Sequence, residues 1–143
     1  MANATDAFED ILLNQWFRGT APGGGIPSIL YFTLLKASPG ESGSLAQEVS
    51  GGSYARVALT SNTTNWSAPS TAGSARRISN AVAITFPSPT ADWGTVTDWA
   101  IMGVATLGTG TMYVYGALGN SRTILNGDNP PSFAIGAITI DFS

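Results

Sequence analysis

Nine carboxylates, six cations and a complete lack of histidine and cysteine narrow what this 143-residue chain can catalyse. Without histidine, the commonest general base and the commonest neutral metal ligand are both missing. Serine has no imidazole partner for triad chemistry, and no thiol nucleophile, thiolate metal site or disulfide framework can form. Paired carboxylates remain, as in glycosidases, where two acids flank one sugar bond. Glu41 and Glu48 share a Gly/Ser-rich stretch, and Asp92 and Asp98 flank an expected strand start. Nothing in their spacing fixes a working distance, so both pairs read as solvated loop acids. Asp128, with Asn126 and Asn129 beside it, brings too few carboxylates for a calcium site. Ala21-Pro22-Gly23-Gly24-Gly25 is followed by Ile26-Pro27 and a strand. A phosphate cradle needs a helix and Lys-Ser/Thr at that point, so this run is a hinge. No catalytic residue, cofactor or metal is expected, and the chain reads as non-enzymatic.

Aromatic residues offer a different chemistry. Trp66, Trp93, Trp99 and Tyr54 could stack against the apolar face of a sugar. The preferred reading is core or subunit contact, which is what most large aromatics provide. Trp66 stands among Thr, Asn and Ser, so it is the one expected to be exposed and to touch a partner. Its replacement by alanine should then disturb only that contact.

The elements that would position these residues follow from periodicity. Phe8, Ile11, Leu12 and Trp16 recur at helical steps, with Leu13 and Phe17 widening the apolar face. Thr5 is the expected N-cap, Asp6, Glu9 and Asp10 suit the positive end of the helix dipole, and Arg18 suits the negative end. Gly19 can close the helix in the left-handed conformation. Residues 1–19 thus form an arm and an amphipathic helix, 20–27 a Gly/Pro hinge, and 28–143 a β body, all within one domain. Strands are expected at 28–36, 54–61, 75–86, 96–105, 111–118 and 133–142. In 54–61 the pattern puts Ala55, Val57 and Leu59 on one face and Tyr54, Arg56 and Thr60 on the other. Residues 37–53 read as a long loop, and Asn126-Gly127-Asp128 as a turn. The fold class is mainly β: an antiparallel sandwich or jelly-roll-like body with one N-terminal helix.

Charge is sparse, at 10% of residues with a net of -3, against about 25% charged residues in ordinary soluble domains. A surface with so little charge suggests coverage by partners. The only basic pair, Arg76-Arg77, is too little for a nucleic-acid face. No apolar run approaches the ~20 residues of a membrane span. Acidic residues stand where a signal peptide would be basic, so export by that route is not expected.

The runs AFEDILLNQWFRGT, ILYFTLLKASPGESGS, EVSGGSYARVALT, ISNAVAITFPSPTADWGTVTDWAIMGVA and MYVYGALGNSRTILNGDNPPSFAIGAITI cover nearly the whole chain. Together they resemble a family of small tailed-phage proteins, labelled tail fibre proteins and in some particles acting as capsid cement. Glu48 through Arg56 and Phe86 through Thr97 are the most specific pieces, whereas Phe32-Thr33-Leu34-Leu35 departs mildly from the pattern. The resemblance implies a virion role and carries no catalytic motif.

The leading expectation is a capsid decoration protein on the outer shell surface. It would form a homo-oligomer, with a trimer as the expected state, and clamp neighbouring major capsid subunits without binding nucleic acid or membrane. Phe8, Ile11, Leu12, Trp16 and Trp66 are the candidate partner contacts, together with the arm 1–5. A tail-fibre or receptor-binding component is the runner-up, and a carbohydrate-binding module the third reading.

Overall fold

The computed structural model describes residues 2–19 and 27–142. The expected helix runs Asp6–Phe17 (α1). Thr5 is extended, with φ -91° and ψ 157°, and its hydroxyl oxygen accepts from the Phe8 amide at 3.3 Å. That bond satisfies one of the unpaired amides of the first turn. Gly19 closes the helix at φ +64°, the conformation that costs glycine least. The expected hinge at 20–27 lies, apart from Pro27, outside the described residues.

The arm is part of the β body. Ala2–Ala4 (β1) pairs antiparallel with Met112–Ile124 (β8), Asn3 standing opposite Tyr115. The Thr5 amide continues this attachment by donating to the Tyr113 carbonyl at 2.9 Å. The expected docking arm is therefore an edge strand of its own sheet, hydrogen-bonded to β8 on one side.

Ile29–Leu35 (β2), Val57–Thr60 (β3) and Gly94–Met102 (β7) complete a five-stranded antiparallel sheet in the order β1-β8-β7-β2-β3. Ser70–Ala72 (β4), Ala75–Ser79 (β5) and Thr139–Phe142 (β10) form a second sheet in the order β10-β5-β4. Ile84–Thr85 (β6) pairs with Ser132–Phe133 (β9). The arrangement is a β sandwich. Phe32, Leu34, Trp99, Ile101 and Val114 of the large sheet share one core with Trp66, Ile84, Phe86 and Ile138. Leu35, Ala100, Met102, Met112 and Tyr115 form a smaller cluster, with Leu45 of the loop packed against it.

Two expected strands are broken, and one buried side chain explains both. Asn80 is fully buried and interrupts 75–86 between β5 and β6. Its carboxamide nitrogen donates to the carbonyls of Val82 and Ala134, each at 2.8 Å, and its oxygen accepts from Ile138 N–H at 2.9 Å. A side chain that bonds backbone on two segments competes with the ladder for those groups. It ends β5 and the partner stretch together, and Gly136 at φ +77° turns the chain between β9 and β10. The hairpin is longer than alternation indicated. β8 continues to Ile124, and residues 118–121 stand opposite Thr97 alone, a bulge between the Val96–Arg122 and Asp98–Ala117 pairs.

Candidate interaction surfaces

The densest polar constellation is inside the molecule. Arg56 grips Glu48 with Nε–Oε1 at 2.7 Å and Nη2–Oε2 at 2.9 Å, their side chains 0% and 4% exposed. Arg56 Nη1 also donates to the carbonyls of Val104 at 2.8 Å and Thr109 at 3.1 Å. Glu48 accepts from the Gly108 amide at 2.7 Å and from the Thr33 hydroxyl. The Tyr54 hydroxyl lies 2.9 Å from that of Thr33 and accepts from Leu34 N–H at 2.6 Å. One charge pair thus fastens β2, the returning loop and the β7–β8 connection.

Alternation puts Glu48 in a loop expected to be solvated and Arg56 on the strand face opposite Ala55, Val57 and Leu59. Both turn inward, on either side of a turn in which Gly51, Gly52 and Ser53 all have positive φ, at 78°, 55° and 62°. A Cβ on Gly52 would meet the Ala91 backbone nitrogen at 2.9 Å, so the loop also needs glycine for space. This is the physical content of the run Glu48 through Arg56.

Burial pushes the Glu48 carboxyl up. The bonds from Arg56, Thr33 and Gly108, with the Arg56 charge, outweigh burial and hold it below the usual carboxylate range. For Tyr54 burial dominates and raises the phenol to about 12. A phenol held neutral in the fold contributes stability that is complete below its unfolded value of 10.0 and is lost as pH climbs toward about 12. Tyr54→Phe should therefore shrink the alkaline loss of stability. Urea unfolding across that range checks it, and an alkaline limb identical to wild type would show that another group carries the loss.

Three further acids are structural too. Asp98 is buried and accepts from Thr97 Oγ1 at 2.6 Å. Asp92 and Asp128 accept from the Asn126 and Leu125 amides, at 2.8 Å and 2.9 Å, and so build the expected turn. Among the described residues no group of three or more acidic side chains converges to hold a metal.

The helix divides its apolar residues between core and solvent. Phe8 meets Tyr113 edge-on at 5.5 Å, and Ile11 and Leu12 are half-buried. Leu13 is 55% and Phe17 82% exposed. The backbone of Trp16 lies in α1, and its side chain is outside the described residues. Leu12 and Leu13 border a hollow of about 510 Å³ whose other wall includes Phe142, itself 50% exposed.

Trp66 is not the exposed aromatic that its neighbours in sequence suggested. It is 8% exposed and stacks on Phe32 at 6.1 Å, with its planes 26° apart. The Asn62 carboxamide oxygen accepts from the Thr64 and Asn65 amides, so the polar stretch satisfies itself in a turn. The ring is left free to go inward. Trp93, Trp99 and Tyr54 are buried as well, at 2%, 6% and 7%, so these four make no exposed sugar platform. Trp66 instead lines the base of an apolar cleft of about 630 Å³ between the two larger sheets, with Leu30, Pro69, Ile78 and Ile140. Sequence reasoning missed Leu30, Pro69 and Ile140 as surface-forming residues. Alternation marks the strands of Leu30 and Ile140 while Pro69 stands in a loop, and only the tertiary fold brings the three to one mouth.

The molecule is a β sandwich with its polar network sealed inside and apolar residues offered at its rim. A family model described as podophage GP4 fiber I protein gp80 matches residues 3–141, so the chain belongs to that family of phage fibre proteins. It is a phage structural protein with a virion-associated location. No curated protein matches the chain.

Proposed function

We propose that this chain is a non-enzymatic subunit of a phage tail fibre, working as a homo-oligomer, with a trimer as the expected state. The observation that carries the reading is the match of residues 3–141 to a family described as a fiber protein. The structure supports it with stable β pairing, a sealed ionic network, and exposed Leu13, Phe17 and Phe142 for subunit contact.

Capsid cement is the second reading, in which the chain bridges neighbouring major capsid subunits on the outer shell. The 55% and 82% exposure of Leu13 and Phe17 serves this reading equally, since a clamp needs only a small body with one adhesive face. Added contact area across each shell junction would stabilise the assembled state by mass action. Copy number separates the two. Densitometry of purified particles should show far fewer copies than of the major capsid protein, and antibody gold should mark the tail. A band matching the capsid protein, with gold over the shell, would replace the fibre reading by the cement reading.

A further inference from the structure

Along α1, Asp6, Asp10, Leu13 and Phe17 follow steps of four, three and four residues, so they share one face. All four are exposed. The stripe is acidic toward its N-terminal end, where Glu9 lies alongside, and apolar toward its C-terminal end. None of these carboxylates joins an ion pair among the described residues.

The Trp66 cleft has the complementary character. Its lining carries no charge, and Leu30, Ile78, Ile140, Pro69 and Trp66 make it apolar. Arg76 precedes Ile78 by two residues in β5 and so projects from the same face. Its guanidinium donates to Thr71 Oγ1 at 2.7 Å and to the Pro69 carbonyl at 3.1 Å, with no carboxylate on it among the described residues. A cation with only neutral acceptors on it therefore stands at the lip of an apolar slot.

We propose that the Asp10–Leu13–Phe17 stripe of α1 docks into the Trp66 cleft of a second copy of this chain. The spacings agree. Arg76 and Ile78 are about 6.6 Å apart along an extended strand, and Asp10 and Leu13 about 4.5 Å apart along a helix axis. With Leu13 over Ile78, the flexible Arg76 stem covers the remaining ~2 Å to reach Asp10. Phe17 lies about 6 Å beyond Leu13, and the 630 Å³ cleft has room for both side chains. The helix of one copy and the cleft of the next are different surfaces, so the contact is head-to-tail, and it closes into a ring when the rotation between copies divides a full turn. This inference rests on the homo-oligomer reading above and names its interface.

Light scattering over a concentration series tests it, using the full chain. Phe17→Asp and Ala68→Glu alter an exposed helix residue and an exposed cleft residue, so both variants should keep the wild-type melting temperature. Each should weaken self-association by about thirty-fold, the size of an anchor-residue loss. Asp10→Lys and Arg76→Glu should each weaken it as well, and the double variant should regain wild-type association. A wild-type chain that stays monomeric would sink the oligomer reading and this interface with it. A wild-type oligomer left intact in Phe17→Asp and Ala68→Glu would overturn the interface alone. Failure of the double variant to exceed either single one would remove the Asp10–Arg76 contact.

Discussion

Arg56→Met should destabilise the fold by about 3–5 kcal/mol, the cost of leaving a buried charge without its partner. The side chain that remains, Glu48, is 4% exposed and keeps only the Thr33 hydroxyl and the Gly108 amide as donors. The Val104 and Thr109 carbonyls lose their Arg56 donor at the same time. Against a total stability of roughly 5–15 kcal/mol for a domain, this is a large fraction. Urea unfolding gives the number directly. Glu48→Gln combined with Arg56→Met should be less damaging than Arg56→Met alone, because the unpaired charge is then gone. Acid offers an independent check. The Glu48 carboxyl is held low in the fold, so its contribution is present above the unfolded value of 4.5 and disappears as pH falls through the lower folded value. Wild type should lose that contribution in acid, and the double variant should have none to lose. A cost under about 1 kcal/mol for Arg56→Met would mean that the pair behaves as an exposed one.

Whether a residue's fate was legible in the sequence depended on the range of the interaction deciding it. The helix was legible because cap, acidic first turn, period and closing Gly19 are local signals that agree. The antiparallel β body was legible from alternation and turns, and the Asn126-Gly127-Asp128 turn is present. What alternation missed was decided by partners far along the chain. Asn80 breaks its strand by bonding Ala134 and Ile138, 54 and 58 residues away. Arg56 turns inward because Glu48, Val104 and Thr109 wait there, and no pattern between residues 54 and 61 records that. The interaction surface was half legible. Phe8, Ile11 and Leu12 are on the inward or flanking side of α1, while the more exposed Leu13 and Phe17 had been assigned to widen the same apolar face. A helical period shows that an apolar face exists, and only the neighbouring sheet decides how much of it is covered.

Trp66→Ala should cost about 3–5 kcal/mol, the range for truncating a buried large aromatic. The sequence had pointed the other way, to an exposed residue whose loss would touch only a partner. The ring is 8% exposed, stacks on Phe32, and forms part of the main core. Removing it would open a void between the sheets where Leu30, Ile78 and Ile140 meet solvent at the cleft. Trp66→Phe makes the test sharper. The Trp66 indole N–H is buried with no acceptor among the described residues, and such a group costs about 1–3 kcal/mol. Phenylalanine removes that unsatisfied donor while keeping an aromatic ring against Phe32, so the gain offsets much of the lost contact. Trp66→Phe should therefore fall within about 1 kcal/mol of wild type, although the two substitutions are made at one site. Equilibrium urea unfolding of both variants decides it. Equal and small costs would return Trp66 to the surface, whereas equal and large costs would mean that the indole N–H has a partner that these contacts lack.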